Sequence, residues 1–325
     1  MVDEKMLEGI FVSIVIPTYN NACSLRKAVE SLCVQTYPKN NYEIIVVDDG
    51  STDNTAQCIE ELKNNYPLNL QYFSQDNKGP SAARNLGIKH ARGDIVAFID
   101  SDCIAADNWI EEIIRFYDND KVAGVGGKIE AVPTALTASR YCAYIRMHEK
   151  PKIDKTGVAY LITGNASFIK SALKRAGGFD ERYNFPGGEE LDLCYRLKRC
   201  KYSFRFNSKA IVYNSHKQGL KALLKSYFNY GKGDSFLILR KLSKWEMSVK
   251  VTLLLMKNVT FIIRFFKIPF KAMLYYGEGM GFQGSLAYAF FDYAKQFAFA
   301  QGSFVGYIIG KIKGFKKNDC ERDFL

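Results

Sequence analysis

Three short runs in the first third of the chain carry residue types that can hold a cation, a phosphate or a base. Asp100-Ser-Asp102 follows the apolar run Ile95-Val-Ala-Phe-Ile99. Two carboxylates one residue apart at a strand end can share a divalent cation, directly or through water. Mg2+ and Mn2+ prefer oxygen ligands and commonly bridge to substrate phosphates. Asp48-Asp49-Gly-Ser51 follows a second apolar run, and a carboxylate there can accept hydrogen bonds from a base N–H or from ribose hydroxyls. The third run, Lys78-Gly-Pro-Ser-Ala-Ala-Arg84-Asn85, joins a glycine that permits close approach to an arginine that can answer a phosphate or a base. Each run also has a plainer reading. Asp-x-Asp serves equally as a solvated turn or helix cap, and Ser51 and Asp53 are good N-caps.

The elements that must position these runs alternate along the first hundred residues. Phe11–Ile16 is a β-rich run ended by Pro17, and Tyr42–Val47, Asn69–Phe73 and Ile95–Ile99 read as further strands. Between them, Leu25–Val34, a segment capped by Asp53 with Ala56, Ile59 and Leu62 on one face, and Pro80–His90 read as helices. Wholly apolar strands alternating with helices predict parallel strands covered on both faces, an α/β sandwich. Ligands of such sheets bind at the carboxyl ends of the strands, where both acidic runs stand. Beyond the helix Trp109–Tyr117 the pattern is mixed. Val122–Glu130, Val158–Ile162, Phe204–Phe206 and Ala210–Tyr213 read as strands, Ser171–Ala176 and Glu189–Arg199 as helices, and Gly177-Gly-Phe-Asp180 as a turn.

Composition and charge narrow the class. The chain has 325 residues, 47% of them apolar and 24% charged, and no low-complexity tract, which excludes a disordered or collagen-like chain. The net charge of +11 lies wholly in residues 217–325; residues 1–216 are balanced. Eight cysteines without a Cys-x-x-Cys pair give no zinc spacing or disulfide framework, and the first residues do not read as a secretory signal, so a cytosolic setting is expected. Gly124-Val-Gly-Gly127 lacks the third glycine of a dinucleotide fingerprint, and no Gly-x-x-x-x-Gly-Lys phosphate loop occurs.

Taken in order, Val-Ser-Ile-Val-Ile-Pro-Thr-Tyr-Asn20, Glu-Ile-Ile-Val-Val-Asp-Asp-Gly-Ser-Thr-Asp53, Gly-Pro-Ser-Ala-Ala-Arg-Asn85 and Ile-Asp-Ser-Asp102 closely resemble family 2 of the inverting glycosyltransferases. The resemblance continues through Gly164-Asn165, Gly177-Gly-Phe-Asp-Glu181 and Gly188-Glu-Glu-Leu-Asp-Leu-Cys-Tyr-Arg-Leu197, and covers residues 11–216. It implies the GT-A fold, a Rossmann-like, mostly parallel sheet sandwich. It also implies a nucleotide-diphosphate sugar as donor and a divalent metal, Mn2+ or Mg2+, as cofactor. By the same resemblance Pro17, Thr18 and Tyr19 line the nucleotide pocket, and Asp49 bonds the base with Arg84 nearby. Asp102 binds the metal, Asp100 contacts the ribose or the metal shell, and Asn165 joins the substrate-binding set. The family usually has Glu-Asp where this chain has Glu189-Glu190, so the catalytic base falls on Glu190, with Glu189 as the alternative. His216, just past Ala210–Tyr213, stands where some members place a third metal ligand. Asp192 and Arg196, four apart, read as a helix-surface ion pair. The Gln-x-x-Arg-Trp motif of processive members is absent, so a non-processive enzyme is expected.

The last third, residues 217–325, is read as a separate helical region. Lys250, Lys257, Arg264 and Lys271 are seven apart and drift only about 20° per step, so with Lys267 they make one basic stripe beside a broad apolar face. That pattern suits a helix lying on a membrane surface, and its longest uncharged stretch falls short of the roughly 20 residues that span one. Leu286–Ile309, interrupted by Asp292 and Lys295, is open to three readings: a hairpin partner, a re-entrant segment, or the interface of a homo-oligomer. Lys311, Lys313, Lys316 and Lys317 add a polybasic end suited to anionic lipid. The sequence therefore predicts a metal-dependent inverting glycosyltransferase at the cytoplasmic membrane face, acting on a glycan or lipid-linked acceptor and not on nucleic acid. The lipid-linked acceptor, a saccharide or polyprenyl phosphate for cell-surface glycan, follows from the tail alone. A sugar nucleotidyltransferase and a non-catalytic nucleotide-sugar-binding scaffold are the rival readings.

Overall fold

The computed structural model describes residues 9–66, 69–132, 135–145, 149–214, 219–241, 267–279 and 281–315. In chain order the elements are β1 (Val12–Thr18), α1 (Ala22–Cys33), β2 (Tyr42–Asp48), α2 (Thr55–Asn65), β3 (Leu70–Ser74), α3 (Pro80–His90) and β4 (Ile95–Ile99). There follow β5 (Cys103–Ala105), α4 (Trp109–Ile114), β6 (Val122–Ala131), α5 (Thr137–Tyr144), β7 (Ile153–Asp154), β8 (Gly157–Val158), β9 (Asn165–Ile169) and α6 (Lys170–Arg175). The last are α7 (Glu189–Arg199), β10 (Ser203–Asn214), α8 (Leu220–Lys241), α9 (Ile268–Gly277) and α10 (Phe282–Ile312). They fall into two compact units. The first takes Met1–Val132, Arg146–Asn184 and Glu189–Ser215; the second takes Pro133–Ile145, Phe185–Gly188 and His216–Leu325.

The first unit is built on one sheet in the order β3-β2-β1-β4-β9-β6-β10-β5. The strands from β3 to β4 run parallel, β9 is antiparallel to both its neighbours, β6 and β10 are parallel, and β5 closes the edge antiparallel to β10. Both faces are buried, and the side chains sort by the two-residue period of a strand. Val12, Ile14, Ile16, Ile44 and Val46 pack under α1, α2 and α4 through Leu25, Ile59 and Trp109. Val15, Ile45, Val47, Val96 and Phe98 pack under α3, α6 and α7 through Ile88, Leu173 and Leu193. That double burial is why these strands read as unbroken apolar runs.

Several local expectations change. β1 runs through Pro17 to Thr18, because β1 pairs with β2 to its end but with β4 only as far as Val15, so the missing proline N–H breaks no pairing to β4. The two strands expected at Phe204–Phe206 and Ala210–Tyr213 are one strand with a register shift between Asn207 and Ile211. Val158–Ile162 forms only the short β8, and the long strand of that region is β9. Asp53 is not the cap of α2, which falls on Asn54. Instead its carboxylate accepts from Thr55 N–H and hydroxyl and, through the other oxygen, from Ala22 N–H at the start of α1.

The second unit is helical. Leu286–Ile309 lies within one continuous helix of 31 residues, α10, whose backbone comes close to that of α8 at glycines. A Cβ on Gly231 would stand 2.0 Å from Phe299 O, and one on Gly302 1.8 Å from Phe228 O. Asp292 and Lys295 do not break α10. Asp292 is buried and accepts from Tyr141, Tyr275, Lys271 and Lys295. Burial works against its charge, but these donors hold its carboxyl below the usual range. Lys271 is thus tied to an acid within the unit, with its side chain still 44% exposed. Lys250, Lys257 and Arg264 lie outside the described residues. α9 buries none of its residues, and Phe270, Met273, Leu274 and Tyr276 are each more than 60% exposed. Among the described residues no helix is long and apolar enough to cross a membrane.

Candidate active site

The carboxyl ends of β1, β2 and β4 form one edge of the first unit, and the loops leaving them are lashed together. Asn20, in the left-handed region at φ 48°, donates its N–H to Ser51 Oγ and accepts from Thr52 N–H at 2.7 Å. Thr18 pairs in register with Asp48, and its buried hydroxyl has no hydrogen-bond partner among the described residues. Tyr19 beside it is half-exposed and Pro17 half-buried, so these three present one free hydroxyl, one ring and one exposed aromatic at the strand end.

The two adjacent aspartates divide their work. Asp48 is buried and holds the turn, accepting from Ser51 N–H and from Tyr72 hydroxyl, both at 2.8 Å. Asp49 reaches across to the loop before α3. It accepts from Gln75 at 2.7 Å, Lys78 N–H at 2.9 Å and Gly79 N–H at 2.8 Å. Gly79 has φ +95° and sits against Asn184, whose Cα would be 2.6 Å from a Cβ there, so both backbone shape and space demand glycine. Asp49 therefore fixes where α3, and with it Arg84, begins.

Arg84 is buried at the centre of the acidic residues. Its Nη1 donates to Glu189 Oε1 at 2.9 Å and its Nη2 to Asp100 Oδ1 at 3.2 Å, with the guanidinium 5.6 Å from the centre of the Phe179 ring. Burial disfavours its charge, yet Glu189, Asp100 and Glu190 together raise its pKa. Glu189, Glu190 and Asp192 form the first turn of α7, where the helix dipole favours carboxylates. Glu190 Oε2 is buried without a hydrogen-bond partner among the described residues. Burial first, and then the charge of Glu189 with which it shares a hydrogen bond, push the Glu190 carboxyl well above the usual glutamate range.

On the other side of Asp100 stands Asp102. Asn214 Nδ2 donates to Asp102 Oδ1 at 3.1 Å, placed there by the register that sets Asn214 opposite Cys103 across β10 and β5. Burial and the charge of Asp100 push the Asp102 carboxyl up to about 6. A cation between these two carboxylates would relieve that repulsion. Asn214 Oδ1 is a further oxygen, buried and without a partner among the described residues, and a Cβ on Gly164 would stand 2.8 Å from Asp100 Oδ2. This oxygen-only set, with few protein ligands, fits Mg2+ or Mn2+ completed by water and substrate phosphates. Among the described residues no cluster of three His, Cys, Asp or Glu could hold a metal by itself. His216 lies outside the described residues.

Two candidates have other surroundings than the sequence suggested. Asn165 is buried with its amide fully engaged: Nδ2 donates to Lys128 O and Ala210 O, and Oδ1 accepts from Trp109. It bolts β9 between β6, β10 and α4. Asp192 does pair with Arg196, at 2.8 Å, but the pair is buried and not on the helix surface, and Arg196 also donates to Ala176 O. Asn214 was missed by sequence reasoning. Its signal was its place at the end of an apolar strand that has to pass close to the Asp-x-Asp run.

Comparison with known proteins identifies the family and the fold. Residues 13–177 match the family model described as Glycosyl transferase family 2. The chain is 33% identical over 227 residues to glycosyltransferase AglE of Haloferax volcanii, covering 69% of this chain and 73% of that one. It is 32% identical to the pre-mycofactocin glycosyltransferase of Mycobacterium tuberculosis over 70% of this chain and 48% of that one. The mannosyltransferase PcManGT from Pyrobaculum calidifontis, solved in complex with GDP-Man and Mn2+, superposes with a TM-score of 0.61 at 18% identity, covering 92% of this chain and 87% of that one. The shared architecture is the GT-A fold.

Proposed function

This chain belongs to glycosyl transferase family 2, and from that premise we propose that it transfers a sugar from a nucleotide-diphosphate sugar to an acceptor hydroxyl with inversion at the anomeric carbon. The observation that carries this reading is the row Asp102–Asp100–Arg84–Glu189–Glu190, with carboxylates suited to a cation at one end and, at the other, a carboxyl of raised pKa whose Oε2 has no hydrogen-bond partner among the described residues.

Direct displacement needs one base and stabilisation of a leaving group, and no protein nucleophile. Glu190 takes the acceptor proton as the new oxygen–carbon bond forms and the bond to the diphosphate oxygen breaks. Its raised pKa makes it a stronger base than a solvated glutamate, provided that it starts ionised. Arg84 holds Glu189 and Asp100 in place through its two donated hydrogen bonds, one to the neighbour of the base and one to the neighbour of Asp102. Asp100 and Asp102 would hold Mn2+ or Mg2+, and the bound ion would offset the negative charge building on the leaving diphosphate. Thr18 and Tyr19 sit at the strand end where the nucleotide binds. Asp49 acts there chiefly by fixing the 75–79 loop, because three of its acceptor directions are already used by that loop.

The chain spans about half the length of the mycobacterial relative, so its acceptor is inferred from its own second unit. The exposed apolar side chains of α9, with Phe282 at the start of α10, support a helical region that rests on the cytoplasmic membrane face, and a lipid-linked saccharide or polyprenyl phosphate as acceptor. The enzymatic reading is tested by calorimetric binding of a panel of nucleotide sugars with Mn2+ and Mg2+, followed by transfer assays. Binding that needs metal and is lost in Asp102→Ala supports it. Metal-independent binding, or neither hydrolysis nor transfer across the panel, contradicts it.

A further inference from the structure

At the Asp102 end of the site, Asn214 has more hydrogen-bonding capacity than its bond to Asp102 uses. Its backbone is pinned from two sides. β10 sets it opposite Cys103 of β5 and Ala131 of β6, and its carbonyl accepts from Val132 N–H at 2.9 Å. The turn it meets is fixed as well. Cys103 N–H donates to Asp100 O at 3.0 Å, and Asn21 Nδ2 donates to Ser101 Oγ at 3.0 Å. The Asn214 amide therefore reaches the Asp100–Cys103 turn at a set place.

Its orientation there is decided by the nitrogen. Nδ2 donates to Asp102 Oδ1 at 3.1 Å and to Cys103 Sγ at 3.3 Å. A carboxylate oxygen can only accept, so turning the amide over would set oxygen against oxygen. Oδ1 is thereby fixed on the other branch of the amide. The residue is only 7% exposed, and Oδ1 has no hydrogen-bond partner among the described residues. A buried carbonyl left without a partner costs free energy, and a cation held beside Asp102 would remove that cost. Asp102 is arranged to match. Among the described residues, the side-chain donors that reach it, Asn214 Nδ2 and the Cys103 thiol at 3.8 Å, both meet Oδ1, which leaves Oδ2 for an ion.

We propose that Asn214 is itself a ligand of the divalent cation, adding Oδ1 to the carboxylates of Asp100 and Asp102 while its Nδ2 aims Asp102. This rests on the glycosyltransferase reading, in which that cation serves the donor diphosphate. An amide oxygen suits the task. It is a hard donor for Mg2+ or Mn2+ yet carries no charge, so it extends the coordination without setting a third negative charge against the diphosphate.

The test uses the full-length protein without nucleotide or acceptor. Mn2+ affinity is read from the free-ion signal in electron paramagnetic resonance for wild type, Asn214→Ala and Asn214→Asp. Metal-free melting curves of the same samples show which variants fold. Asn214→Ala removes both the oxygen and the donor, and should bind Mn2+ about tenfold more weakly or worse. Asn214→Asp returns an oxygen but not the donor, and should recover most of that loss. Wild-type affinity in Asn214→Ala overturns the proposal. So does an Asn214→Asp variant as weak as Asn214→Ala, since a residue that only aims Asp102 needs its nitrogen. If neither variant folds, anomalous scattering from wild-type crystals soaked in Mn2+ decides. An ion bonded to Asn214 Oδ1 upholds the assignment, and an ion out of its reach overturns it. Nucleoside diphosphate binding with Mn2+ separates this from the wider reading. If wild type binds neither, the glycosyltransferase reading falls and the ligand with it; if it binds both and the Asn214 effect is missing, the ligand assignment alone falls.

Discussion

At the scale of residues, the site is a set of carboxylates kept apart by one arginine. Arg84 meets Glu189 and Asp100 at once, so removing it leaves a buried carboxylate without its partner. Arg84→Met should lower stability by about 3–5 kcal/mol, read as a fall in melting temperature. A neutral result would show that the Arg84 contacts do not form in solution. Asp102 supplies a second prediction with a definite sign. Between about pH 4 and pH 6 the folded, metal-free protein keeps a proton on Asp102 that the unfolded chain has released, so this residue subtracts stability as the pH rises through that window. Asp102→Asn should therefore gain on wild type, on the order of 2–3 kcal/mol by pH 7 and little at pH 4, in metal-free buffer. A stability difference that does not change with pH would contradict the raised pKa.

At the scale of elements, two glycines that face the site predict opposite outcomes. A Cβ on Gly127 would lie 2.2 Å from Ala210 O and 2.5 Å from the Asn165 amide, so Gly127→Ala must push β6 and β10 apart. It should be poorly folded, with a lowered melting temperature. On Gly164 the obstacle is the half-exposed carboxylate of Asp100, the movable end of a side chain. Gly164→Ala should fold normally and lose affinity for Mn2+. Titrations showing wild-type metal affinity would remove Asp100 from the cation site. How much of this was legible in sequence follows from which faces are apolar. β1, β2 and β4 are covered on both sides and announce themselves as continuous runs. β9 does not, because Asn165 and Ser167 are polar yet buried, satisfied by Trp109, Tyr117 and Ile113 O. β5 is three residues long and carries no period at all. The acidic runs could be placed at strand ends from sequence, whereas the bridge from Arg84 to Glu189 spans more than a hundred residues and only the fold brings it together.

At the scale of the whole molecule, charge and apolar exposure point to the same region. The excess of basic residues lies wholly in 217–325, and α9 with the start of α10 exposes Phe270, Met273, Leu274, Tyr276 and Phe282. The sequence assigned the membrane-facing role to a basic stripe of five residues with its apolar flanks, of which Lys271 proves to be tied to Asp292 and three members lie outside the described residues. The exposed α9 side chains now support that role better than the stripe does. The paired variant Phe270→Glu with Leu274→Glu should lose most co-sedimentation with phosphatidylglycerol vesicles. Wild-type sedimentation in that variant would contradict membrane docking through α9, and a dimer in light scattering that the variant abolishes would assign the face to a second copy.

Glu190 is proposed to take the acceptor proton while the aspartates at the other end of the row serve the donor, and this division of labour is open to direct test. It is tested most directly by single-turnover transfer with Glu190→Gln, using the nucleotide sugar that wild type binds with Mn2+. The variant should bind donor and metal as wild type does, while transfer falls by about two orders of magnitude or more and the acidic limb of the wild-type pH profile disappears. Transfer at the wild-type rate in Glu190→Gln would contradict the account and move the base elsewhere.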